Sequence, residues 1–212
     1  IGQMLGGAAG VSLAGALAAW LGWRPIFIVL GTLFIVIAAL LRRELARNEP
    51  LRLDGDRSVT LANALRRMAG LLLRPWARVI LAVVAIECAL SMGVFAYVAW
   101  DLQHRHGVSL ALSGFWIVAY PAGGLLYATF SAPLVARLGE QGLALAGGLL
   151  IGAGYLCLLL APAALVVLPG LLAVGLGFAM LHNTLQVNAT QMAPEARGAA
   201  VSLFAFCLFT SQ

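Results

Sequence analysis

Six apolar stretches, near 1–21, 25–43, 78–101, 109–136, 142–161 and 164–188, fill most of this 212-residue chain, and a seventh begins near 197. About 20 apolar residues are what a helix needs to cross the hydrocarbon core of a bilayer. The residues are 62% hydrophobic and 10% charged, with mean hydropathy +0.98, whereas an ordinary soluble domain is roughly 25% charged. A soluble core drawn from so short a chain cannot hide that much apolar surface. Only helices fit, because lipid leaves an open backbone unsatisfied and the alternating ten-residue pattern of a membrane barrel is absent. The expected class is all-α: a polytopic transmembrane helix bundle.

Both ends fall inside apolar runs, so the chain is expected to be part of a longer polytopic protein. The first run has no basic leader and is rich in glycine, unlike a signal peptide. Cys88, Cys157 and Cys207 lie within spans, in no CxxC spacing, and are expected to be buried thiols. All thirteen basic residues are arginine, which suits a bacterial coding bias. Nine of them lie between Arg42 and Arg78, around the connection 44–77. Beside transmembrane spans such a cluster marks the cytoplasmic side, so no nucleic-acid partner is expected. The 34-residue connection exceeds a simple turn. Leu61, Leu65, Met68 and Leu72 recur at helical spacing with arginines off the stripe, predicting an amphipathic helix on the cytoplasmic membrane surface. Three units follow: 1–47 as two spans of one bundle, 48–77 as a linker breaking near 48–58, and 78–212 as a second bundle.

Gly2, Gly6 and Gly10 share one face of the first span and make a groove for a neighbouring backbone, which alone is ordinary helix packing. Together with Gly7 they match the antiporter pattern gxxxGPxxGG, with Gly7 in place of the proline and Val11 in place of the last glycine. Gly22-Trp23-Arg24-xx-Phe27 follows where those proteins carry GWRxxF. The segment Ala132 to Gly139 keeps Leu134, Arg137 and Gly139 of the GxLaDRxGRR loop motif. Pro194-Glu195-Ala196-Arg197-Gly198 is similar to the PexRG segment. In these residues the chain resembles the major facilitator superfamily, in its twelve-span drug/proton antiporter branch, from about the fifth span to the eleventh. The resemblance implies a partial major-facilitator fold and a carrier with a central site between two six-helix halves. It also implies proton-driven export of small amphipathic compounds from a bacterial inner membrane, a cytoplasmic loop motif in Arg137, Gly139, Arg197 and Gly198, and gate or anchor roles for Arg137 and Arg197. A sugar or metabolite carrier of the same superfamily is the alternative; a channel or an intramembrane enzyme fits less well.

Glu87 stands nearly alone at depth in the third span. A charge at the centre of a span costs about 2.5–3.5 kcal/mol, so the acid faces water or holds a proton. It is either the proton-coupling or substrate group or a structural hydrogen-bonded acid. Ser91 lies one turn on, and Asp101 returns near the same face. His182, Asn183 and Gln186 form a polar tail to the sixth span, either a solvated helix end or the wall of an inward-facing vestibule near the cytoplasmic mouth. Tyr97, Trp116 and Tyr120 offer flat surfaces to a lipophilic or cationic substrate, or simply pack. No HxxxH or HExxH spacing and no second deep acid occurs, so neither enzyme chemistry nor a metal or cofactor is expected. The proton is the expected coupling ion, the substrate a small molecule, and the protein a monomer completed by further spans of its own chain.

Overall fold

The computed structural model describes residues 6, 9, 10, 13, 17, 20–47 and 61–212. Every element among them is helical: α1 (Arg24–Arg47), α2 (Leu61–Leu71), α3 (Pro75–His104), α4 (Leu110–Ile117), α5 (Ala119–Leu160), α6 (Ala164–Gln191), a 3-10 turn (Pro194–Ala196) and α7 (Arg197–Thr210). The apolar runs became helices because lipid leaves the backbone no partner but itself. Leu145, Leu149, Leu156 and Leu160 stay largely exposed along one side of α5. No residue of α1 is buried. In water such surfaces would aggregate; in a bilayer they face their solvent, and the protein is a multi-pass membrane protein.

Sequence punctuation sets the breaks. Gly22 turns the chain into α1 with φ +80. Arg74 is extended ahead of Pro75, the first residue of α3, as a residue before proline must be. Leu72, Leu73 and Arg74 donate back to the carbonyls of Ala69, Gly70 and Leu71. There the path bends by 95° between the segments Leu65–Leu71 and Pro75–Ser91. Ser109 caps α4, its hydroxyl accepting from the Leu112 amide at 3.3 Å. The expected span 109–136 is thus interrupted once, at Val118.

Within α5, Gly139 takes φ 63 and ψ −179, a region essentially restricted to glycine. The chain reverses there. Tyr127 and Leu143, on opposite sides of Gly139, pack on the same α6 residues, Ala179 and Met180. The 49 residues from Leu112 to Leu160 are more than twice the ~20 of one crossing, so they go across and return. Backbones meet closely against α6: a methyl group on Gly175 would fall on the Tyr120 carbonyl, and one on Gly177 would meet the Gly147 carbonyl at 2.5 Å. Without a hydrophobic drive between helices in lipid, such approach is what van der Waals packing relies on.

Helix α3 runs antiparallel to α6 and is held at both ends. Ile80, Val84 and Cys88 pack with Leu185, Ala189, Met192 and, from α7, Leu203 and Phe204. Val98 and Leu102 pack with Ala161, Val167 and Leu171. Beyond them, Arg105 donates to the carbonyls of Leu159 (3.2 Å) and Ala161 (3.1 Å).

Helix α2 lies where the stripe predicts a helix, but its seat differs. Leu71, outside the predicted stripe, is buried, while Leu65 and Leu72 are exposed. The sharp bend tips the helix so that Leu71 and Met68 meet the cluster of α3 and α7. The expected boundary near 48–58 lies outside the described residues, as do Gly2, Gly7 and most of the expected first span, 1–21.

Candidate functional site

Between the two apolar seams of α3 lies a polar pair. Glu87 is twelve residues in from Pro75 and seventeen from His104, roughly 18 Å from the near end at about 1.5 Å per residue. His182 reaches it from α6, with Nδ1 3.1 Å from Glu87 Oε2. The two side chains are 2% and 13% exposed respectively, so bulk water screens neither. The other carboxylate oxygen, Oε1, has no hydrogen-bond partner among the described residues.

The imidazole is clamped. Phe178, one turn before His182, stacks on it at 5.1 Å between centroids and 9° between planes. Phe204 of α7 meets it at 5.8 Å, and Tyr120 stands 5.9 Å beyond Phe178. This aromatic seat holds the ring with Nδ1 toward Glu87. Next to it opens a cavity of about 550 Å³ whose walls include Cys88, Tyr127, Phe178, His182, Asn183 and Gln186. That volume falls in the range of small-molecule pockets, roughly 300–1,000 Å³.

Several predicted residues therefore come together: Glu87, His182, Asn183, Gln186 and, behind Phe178, Tyr120. Ser91 is buried one turn beyond Glu87, and its carbonyl accepts from the Tyr155 hydroxyl at 3.3 Å. The polar tail of α6 lies deeper than expected. The helix continues to Gln191, so His182 is nine residues, about 13 Å, from its end rather than at the mouth. It can continue because its polar side chains bond to the preceding turn: Asn183 to the Ala179 carbonyl (2.7 Å), Thr184 to Met180 (2.9 Å) and Asn188 to Thr184 (2.9 Å).

Other predicted residues stay apart. Tyr97 is exposed and borders a second cavity of about 440 Å³, with Asp101, Arg105 and Tyr155. Asp101 pairs there with Arg105 and His106, at 3.7 Å each. Trp116 packs against the Val98–Leu102 seam. Among the described residues, a methyl group on Gly6 or Gly10 would meet nothing within 4 Å. Arg137, Arg197 and Gly198 are exposed, and Gly139 forms the reversal already described.

Three site features escape the linear pattern. Cys88 and Phe204 enter the site only through the packing of α3 and α7. Phe178 had a signal, its four-residue spacing from His182. At the end of α3 nearer Pro75, Arg74 donates to the Met192 carbonyl at 3.2 Å and to the Glu195 carboxylate.

A family model described as Major Facilitator Superfamily matches residues 1–211. No curated protein and no solved structure matches the chain.

Proposed function

The chain belongs to the major facilitator superfamily and is a secondary membrane transporter; on that premise we propose that it exports small amphipathic molecules, cationic ones above all, in exchange for protons. The observation that carries this reading is the Glu87–His182 pair, buried at mid-depth beside a substrate-sized cavity. Held as carboxylate and imidazolium, or as carboxyl and neutral imidazole, the pair has no net charge. Without its shared proton it leaves one negative charge inside the hydrocarbon. Such a charge costs about 2.5–3.5 kcal/mol, roughly a hundredfold in an equilibrium. The deprotonated pair is stable only while water or a cation stands beside it. A substrate cation and a proton thus become alternative occupants of one site, which is the condition for exchange. The faces of Tyr127 and Phe178 suit an aromatic or alkylated cation.

Alternating access by the two bundles would present the cavity to each side in turn. In this reading the glycine face Gly2–Gly10 is the antiport-associated packing surface, and Arg137 and Arg197 anchor the cytoplasmic rim. The test uses the full-length transporter in proteoliposomes with an imposed pH gradient and a fluorescent lipophilic cation. Glu87→Gln is expected to abolish gradient-driven transport and, because the cation's counter-charge goes with the carboxylate, labelled-for-unlabelled exchange of the cation as well. Undiminished gradient-driven transport by Glu87→Gln overturns the reading.

A further inference from the structure

Glu87, Cys88 and His182 each place a ligand atom within 4.8 Å of the other two. Linear spacing hides the grouping, because His182 lies 95 residues from Glu87. We propose that these three side chains form a binding site for a thiophilic divalent cation of the zinc type, at the wall of the cavity that Cys88 and His182 line.

Three observations converge on it. The donor set is carboxylate, thiolate and imidazole, which selects zinc-like ions over magnesium or calcium. Three protein ligands in a tetrahedral site leave the fourth position open, and here Cys88 and His182 both border the cavity from which water fills it. Glu87 Oε1 is buried without a hydrogen-bond partner among the described residues, an oxygen still to be satisfied. Donors bound at about 2.0–2.3 Å stand roughly 3.3–3.8 Å apart around an ion. Glu87 Oε2 and His182 Nδ1 already stand at 3.1 Å, and the donors, all within 4.8 Å, reach that spacing by side-chain rotation.

Charge favours the site as well. The Glu87 carboxylate and the Cys88 thiolate cancel the two positive charges of the ion, with neutral His182 as third ligand. A neutral cluster is what the interior of a span tolerates. On binding, the Cys88 thiol loses its proton to the cavity water and the imidazole keeps its own on Nε2. The aromatic seat of Phe178 and Phe204 fixes the ring in place for either partner. The metal site shares the Glu87–His182 pair with the exchange reading but does not depend on transport.

The probe is cobalt(II), added to the full-length protein in detergent at equilibrium, without substrate or gradient. One ion per chain is expected, with tetrahedral d–d bands and a thiolate-to-cobalt charge-transfer band. Cys88→Ser is expected to remove the charge-transfer band, whereas Cys157→Ser and Cys207→Ser leave it unchanged. Glu87→Gln and His182→Gln are each expected to weaken binding by roughly tenfold or more, no less than the loss of an outer-shell partner does. The proposal is overturned by absence of the band in the unaltered chain, or by its persistence in Cys88→Ser. Either result leaves the exchange reading intact, and a chain that binds cobalt but moves no substrate overturns only the exchange reading.

Discussion

A carboxyl and an imidazole buried together in a span are held there by their neighbours. Phe204 does this from α7, where it is 3% exposed and packs across His182. In a water-soluble core, truncating such a ring costs about 3–5 kcal/mol, part of it transfer from water and part the cavity left behind. In lipid the transfer part largely vanishes, since acyl chains are as apolar as the protein interior. What remains for Phe204→Ala is about 2 kcal/mol, from a void of roughly 100 Å³ at about 24 cal/mol per Å³. Phe206→Ala, on a side chain that is 60% exposed, is expected to cost almost nothing. Unfolding in graded sodium dodecyl sulfate checks the difference, and equal midpoints for the two variants would contradict the seat. At this scale the sequence was half legible. Glu87 stood out because a lone acid at depth is expensive wherever it lies. Its partner was visible only as part of a polar tail, because a contact across 95 positions depends on how α3 and α6 pack.

Among the described elements α5 and α6 form the most extensively packed pair, and glycine decides how close they come. A methyl group on Gly175 would overlap the Tyr120 carbonyl, whereas one on Gly148 meets nothing within 4 Å. Gly175→Ala must therefore push two backbones apart, and overpacking of this kind costs about 1–3 kcal/mol. Backbone yields less readily than side chain, so the upper end is expected. Gly148→Ala is expected to be neutral or slightly stabilising, since alanine is the better helix former by up to about 1 kcal/mol. Thermal unfolding of the two variants in the same detergent makes the comparison; parity between them would mean that the helices do not meet this closely. Among the described residues, the spans were readable to within a few residues because an apolar run in lipid has one solution. The interruption at Val118 was not, since 109–136 reads as one uninterrupted run. The pairing of Gly175 with Tyr120 is likewise a property of two surfaces, and neither surface carries it alone.

Across the whole molecule, helix α2 is fastened to α3 and α7 by an apolar seat and a polar latch. Leu71 and Met68 supply the seat; Arg74, bonded to the Met192 carbonyl and the Glu195 carboxylate, supplies the latch. The sequence showed an amphipathic helix but placed Leu65 and Leu72 on its apolar side. The 95° bend at its end, which selects Leu71 instead, arises from how the chain enters Pro75. The latch gives the docking a pH dependence of definite sign. Its own backbone amide first, and the Arg74 guanidinium second, hold the Glu195 carboxyl below the ordinary carboxylate range. A group whose value is depressed in the docked state favours docking at pH above its free value and loses that contribution as pH falls through the docked value. The window therefore opens near pH 4, the ordinary value for glutamate, and extends downward. The effect is modest, since water and salt screen so exposed a pair and the apolar seat persists. Amide hydrogen exchange over 61–71, corrected for its intrinsic pH dependence, should show protection constant from neutrality to about pH 5 and falling below pH 4. In Glu195→Gln the protection should already be lower at neutral pH and show no such fall. If the Gln variant loses protection over the same range as the parent, another group controls the docking.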